Sequence, residues 1–118
     1  MEFLFEDGEL RDDGWHEEIF VPDGLRYLEG HFPGDPIVPG VAQVVALGEA
    51  RARAAWPELG AAAGLKRLKF MTALRPGDRL ALSLTRKGSA PVKVTMVIHK
   101  GDTLCSKGTL LFDPPEED

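Results

Sequence analysis

The chain has 118 residues, 43% of them apolar and 28% charged, with a formal net charge of −5, which fits one globular domain and excludes a disordered tract. The acid excess argues against a nucleic-acid binder, and no apolar run is long enough to span a membrane. A single cysteine, Cys105, excludes an internal disulfide, and the acidic start Met1-Glu2-Phe3-Leu4-Phe5-Glu6-Asp7 lacks the basic opening of a secretory signal, so a cytoplasmic protein is expected.

Residues 1–13 are acidic around an apolar knot, Phe3-Leu4-Phe5. They predict at most a short strand, broken at Gly8 and again at Asp12-Asp13-Gly14. Trp15 to Val21 alternates imperfectly and predicts a strand with Trp15, Glu17, Ile19 and Val21 on one face. Pro22-Asp23-Gly24 has turn chemistry, and Leu25 to Glu29 reads as an irregular turn.

From Gly30 to Gly40 the chain carries Pro33, Pro36 and Pro39 among Gly30, Gly34 and Gly40. Proline fixes φ and lacks a donor, while glycine takes angles other residues avoid, so this run is a stiff loop and neither helix nor central strand. Its one group that titrates near neutral pH is His31. The loop feeds a helix predicted from about Gly40 to Trp56, stopped by Pro57. Val41, Val44, Val45, Gly48, Ala52 and Ala55 share one broad side, where small residues allow a close wrap. Arg51, Arg53 and Glu58 mark the solvated end.

Leu59 to Gly64 reads as a small-residue linker. Strands are then predicted over Leu65 to Leu74, Arg79 to Arg86, Val92 to His99 and Thr103 to Phe112. They are joined by Arg75-Pro76-Gly77-Asp78, by Lys87-Gly88-Ser89-Ala90 and by Lys100-Gly101-Asp102. Residues 113–118 form a solvated acidic tail. One helix followed by an antiparallel meander is α+β. The charges are segregated: residues 51–108 hold 12 Lys/Arg against 3 Asp/Glu. Either the two parts neutralise each other in the fold, or a basic face docks an acidic partner or a phosphate.

The run His31-Phe32-Pro33-Gly34-Asp35-Pro36-Ile37-Val38-Pro39-Gly40 resembles the signature loop of the FabA/FabZ-type β-hydroxyacyl-acyl carrier protein dehydratases, with all seven fixed positions met. Lys69-Phe70 followed by Arg75-Pro76-Gly77-Asp78 is similar to that family's later strand and turn. The resemblance implies a hotdog fold over one domain, 1–118, in which a curved antiparallel sheet wraps one long helix. It implies a 3-hydroxyacyl thioester substrate carried on the phosphopantetheine of an acyl carrier protein or on CoA, with no cofactor of the protein's own. It also implies a homodimer with the active site between subunits, a hexamer or heterodimer being left open, and strain, up to a cis peptide, at His31-Phe32.

Dehydration needs a base for the α-proton, donors for the thioester oxygen and an acid for the departing hydroxyl. His31 suits the first task, and the backbone N–H of Gly40 or Val41 at the helix start suits the second. Phe32, Pro39, Gly40, Val41 and Val45 are the expected substrate-binding residues. The family's helix carboxylate falls fourteen positions after the histidine, where this chain has Val45, and Glu49 follows one turn later. Two readings of Glu49 stand: the displaced acid, which would need its pKa raised by burial, or a surface partner of Arg53 at i+4. Arg51, Arg53, Lys66, Arg67 and Lys69 are candidate contacts for an acidic carrier. His16, His99 and Cys105 read as strand residues without catalytic roles, and no residue set has metal-ligand spacing. An acyl thioesterase with Glu49 activating water, and a non-catalytic subunit that binds acyl carrier or pairs with a competent paralogue, are the rival readings.

Overall fold

A computed structural model of the chain describes residues 2–25 and 36–114. Two strands, β1 (Leu4–Arg11) and β2 (Gly14–Phe20), form a hairpin. A helix follows in three continuous parts: α1 (Gly40–Ala42), a π-helical stretch (Gln43–Glu49) and α2 (Ala50–Ala55). Four more strands complete the chain: β3 (Ala62–Phe70), β4 (Arg79–Lys87), β5 (Val92–Lys100) and β6 (Thr103–Phe112). All six strands join one antiparallel sheet in the order β1-β2-β4-β5-β6-β3. The α+β expectation of a sheet curved about one helix is met.

Alternation in β4, β5 and β6 sends one set of side chains to the helix. Leu80, Leu82, Leu84, Val94, Met96, Ile98, Leu110 and Phe112 are all buried there, with Leu47 and Ala52 of the helix in the same core. Each such large side chain contributes about 1.5–3 kcal/mol by leaving water.

Two polar contacts fix the helix on the sheet. Ser106 Oγ donates to Gln43 Oε1 at 2.5 Å, and Gln43 Nε2 donates to Val38 O at 3.4 Å, with Gln43 and Ser106 both buried. At the far end Arg51 Nε and Nη2 donate to the two oxygens of buried Glu17, at 2.8 and 2.5 Å. Trp15 Nε1 donates to Glu17 Oε1 at 3.2 Å, and the Arg51 guanidinium lies 4.0 Å from the centre of the Phe5 ring. The hairpin is thereby clamped to the end of the helix.

Four expectations are corrected. β1 runs through Gly8 because the irregularity is absorbed as a bulge between Glu6 and Glu9, with Asp7 at φ 53°. Ala62 to Gly64 belong to β3, paired with the end of β6, and are not a linker. That strand ends at Phe70, not Leu74. Met71 N and Thr72 N donate to Cys105 O, and Leu74 O accepts from Val38 N at 2.8 Å, so the chain beyond β3 braces the segment that enters the helix. The broad helix side is split: Val44, Gly48 and Ala52 are buried with Ala42, Gln43 and Leu47, while Val41 is 72% and Val45 49% exposed. The π-helical stretch, in which Ala50 N donates to Val45 O, widens the turn and changes which residues share a face.

Candidate active site

The segment into the helix is tethered by Val38 N to Leu74 O, and Pro39 stands at the N-cap with φ −59° and ψ 148°. Gln43 N donates back to Pro39 O at 3.2 Å. The N–H groups of Gly40 and Val41 precede that first helical bond and have no acceptor within the helix. Gly40 sits against β3: a Cβ there would lie 2.7 Å from the Phe70 ring. Only glycine lets this ring rest on the helix start, leaving two amide hydrogens beside an aromatic wall.

His31 and Phe32, the expected base and its neighbour, lie outside the described residues, and so does the peptide between them. Val41 and Val45 belong to an open apolar face together with Leu65, Leu68, Phe70 and Met71 of the neighbouring edge, all between 37% and 72% exposed. Glu49 does not pair with Arg53 among the described residues. Its Oε2 accepts from Ala62 N at 2.5 Å, bridging the helix to the first residue of β3. The carboxylate borders a recess of about 240 Å3 lined by Val44, Val45, Ala63, Gly64, Leu65 and Leu110. At the α-helical rise of 1.5 Å per residue, the nine steps from Gly40 to Glu49 span at most roughly 13 Å, and less where the helix is π-helical. The helix start and Glu49 of one chain therefore stand well apart along the helix.

Cys105 is buried, and loss of water raises its thiol pKa, which suits a core residue and not a nucleophile. His16 Nε2 meets Asp13 Oδ1 at 2.8 Å and its Nδ1 meets Ser83 Oγ at 3.4 Å. The hydrogen bond from His16 holds the Asp13 carboxyl below the ordinary aspartate range. This group belongs to the sheet face turned away from the helix, where Ser83 of β4 stands between His16 of β2 and Val97 of β5. The carboxylates of Glu6, Asp7 and Glu18 approach one another within 4.8 Å on the exposed surface, which sequence spacing did not predict and which is ordinary for a solvated acidic edge.

Reading the sequence missed Phe70 as the floor beneath Gly40, the Glu17–Arg51 clamp and the Gln43–Ser106 bond. Glu17 left a signal, being the one charged residue on the otherwise apolar face of β2.

Comparison with known proteins bears on this site. The ApeI-like family model, described as ApeI dehydratase, matches residues 9–109. The 3-hydroxyacyl-[acyl-carrier-protein] dehydratase FabZ of Natranaerobius thermophilus is 35% identical over 94 residues, covering 73% of this chain and 66% of that protein. The FabZ of Caldanaerobacter subterraneus subsp. tengcongensis is 34% identical over 107 residues, covering 82% of this chain and 74% of that protein. The chain thus spans about two thirds to three quarters of the length of these relatives. Among solved structures, a chain of the dehydratase heterocomplex ApeI:P from Xenorhabdus doucetiae superposes with a TM-score of 0.79 at 22% identity, covering 96% of this chain and 99% of that one. The R-hydratase PhaJ1 from Pseudomonas aeruginosa superposes with a TM-score of 0.58 at 15% identity, covering 91% and 84%. The shared architecture is the hotdog fold.

Proposed function

Because the chain belongs to the ApeI-like dehydratase family, with a dehydratase-like function towards 3-hydroxyacyl thioesters, we propose that it removes water from a 3-hydroxyacyl group held on an acyl carrier protein. The observation that carries the reading is the His31 to Gly40 run, entering a helix whose first glycine is pressed against Phe70. In the proposed reaction His31 takes the proton α to the thioester carbonyl. The N–H groups of Gly40 and Val41 hold the carbonyl oxygen as negative charge builds. The double bond forms as the β-carbon–oxygen bond breaks, and the hydroxyl leaves as water after an acid protonates it. The steps use protons and a thioester only.

Glu49 is the acid in this proposal, acting on the substrate held by the other subunit. The separation along the helix supports that division, as does the open face of Val41, Val45, Leu65, Leu68 and Phe70 beside a strand edge that has no neighbour among the described residues. A second copy covering that face would make the homodimer. Purified protein is given a 3-hydroxyacyl-carrier substrate and the acyl group is weighed by mass spectrometry. Loss of one water, abolished by His31→Ala and strongly reduced by Glu49→Gln, is the expected result. An unchanged substrate under conditions where a FabZ consumes it overturns the activity.

A second reading has its own support. Val45 stands where the related loop-and-helix signature has a carboxylate, and one similar fold comes from a dehydratase heterocomplex. Here the chain contributes His31 and Gly40 while a paralogue contributes the acid. Activity only on mixing with such a paralogue, unaffected by Glu49→Gln, selects this reading over the homodimer.

A further inference from the structure

The sheet face turned away from the helix carries a cluster of uncompensated cations. Lys69 stands directly opposite Lys107 across β3 and β6, and Lys93 directly opposite Lys87 across β5 and β4. Like charges facing one another on a sheet destabilise it. Lys66 is held below the ordinary lysine pKa, first by repulsion from Lys93, then by lost hydration, by its contact with Lys93 and by the charge of Arg67. Among the described residues, none of Lys66, Arg67, Lys69, Lys93 or Lys107 has an acidic side chain within ion-pair distance, in contrast to Arg11, Arg51, Arg86 and Lys100. Among the described acids, Glu6, Asp7, Glu9 and Glu18 occupy β1 and β2, at the opposite side of the sheet. Within the fold these two charge sets do not neutralise each other.

The structure also divides the basic residues by availability. Arg51 is committed to buried Glu17 and the Phe5 ring. Arg53 lies on α2, apart from the lysine cluster. Lys69, Lys93 and Lys107 are exposed and share one face with partly covered Lys66. Lys69 is the chain neighbour of Phe70, the ring against Gly40, so one strand presents the cations on one face and the helix start on the other.

We propose that the outer face of β3, β6 and β5, through Lys66, Lys69, Lys93 and Lys107, docks the acidic surface of the carrier protein that delivers the thioester. This rests on the dehydratase reading, and it assigns the docking to the sheet rather than to the arginines of the helix. Each lysine gains an anionic partner where the described residues set it beside another cation. Seating a partner here therefore relieves repulsion as well as adding attraction.

The test measures binding apart from turnover. An acyl carrier protein labelled on its phosphopantetheine arm is titrated with protein, and fluorescence anisotropy gives the affinity. Reversing the four lysines to glutamate is expected to weaken binding by at least about tenfold, the scale of several exposed ion pairs turned repulsive. The corresponding glutamine variant should fall between the two, and wild-type affinity should decline steeply with salt. Thermal melts establish that each variant is folded. Arg53→Glu is expected to bind within about twofold of wild type, because one remote exposed charge is largely screened. Unchanged carrier binding in the folded four-lysine variants overturns the proposal. So does an equal loss in Arg53→Glu, or tight binding of free CoA or anionic vesicles through the same lysines with no carrier binding. Dehydration of a 3-hydroxyacyl pantetheine thioester, which has no carrier, is followed in parallel. Its absence in wild type counts against the enzymatic reading alone, while the anisotropy still decides the docking face.

Discussion

Single residues in this chain matter most where water has been removed around a polar atom. Ser106 Oγ and Gln43 Oε1 are each other's partners in the core. Ser106→Ala leaves a buried amide oxygen without a donor, and chemical denaturation should show a loss of about 1–3 kcal/mol. Adding Gln43→Leu should recover part of it, because the orphaned amide oxygen goes too, the remaining cost being Val38 O, which loses its donor from Gln43 Nε2. Asp13 is the opposite case, fully exposed and held low by the hydrogen bond from His16. An unfolded chain with an ordinary aspartate binds the proton more readily than the native one. The contribution of this bond is thus complete above the usual aspartate range and is lost as pH falls through the lowered value. A carboxyl titration followed by NMR should place the Asp13 midpoint below that of a free aspartate, and His16→Ala should move it upward.

The helix was legible from its proline stop and the strands β4, β5 and β6 from clean alternation, because burial on one face of a meander writes a period of two directly into sequence. What failed shares a cause. The bulge in β1 around Asp7 and Gly8 breaks the alternation without ending the strand, and Ala62 to Gly64 pair with β6 through backbone groups that leave no side-chain pattern. The i→i+5 bonding that begins at Gln43 changes which later residues share a face, which no α-helical count could foresee, and Val41 and Val45 stand exposed. At the site, the backbone N–H of Gly40 is the expected donor to the thioester oxygen, and the fold gives this glycine a second duty beneath Phe70. Gly40→Ala should therefore reduce kcat/KM by about tenfold or more, since a near-ångström displacement at a reacting centre costs that much. Adding Phe70→Ala should restore much of the activity if the ring alone is the obstacle. Unrescued loss would mean that the methyl group blocks the thioester itself.

At the scale of the molecule the two edges of the sheet are unlike. β3 borders exposed Val41, Val45, Leu65, Leu68, Phe70 and Met71, a contiguous apolar face of the kind that marks association. Leu68→Lys should lower the mass seen by light scattering from an oligomer to a monomer while leaving the circular dichroism unchanged. An unaltered mass would place the interface elsewhere. The segregation of charge, visible in the sequence as a basic middle and acidic flanks, acquires meaning only through topology. Strand order sends the acidic hairpin to one side and the lysines to the other, instead of interleaving them.

Every residue of β1 is exposed, Leu4, Phe5 and Leu10 included. An edge strand of that length would ordinarily invite other chains to continue the sheet. Here Glu6, Asp7 and Glu9 stand guard over it, and the kink at Asp7 twists it out of line. That protection is electrical, so it is only as durable as the repulsion that dissolved ions screen. In concentrated salt, the same hairpin becomes the place where a second chain would add.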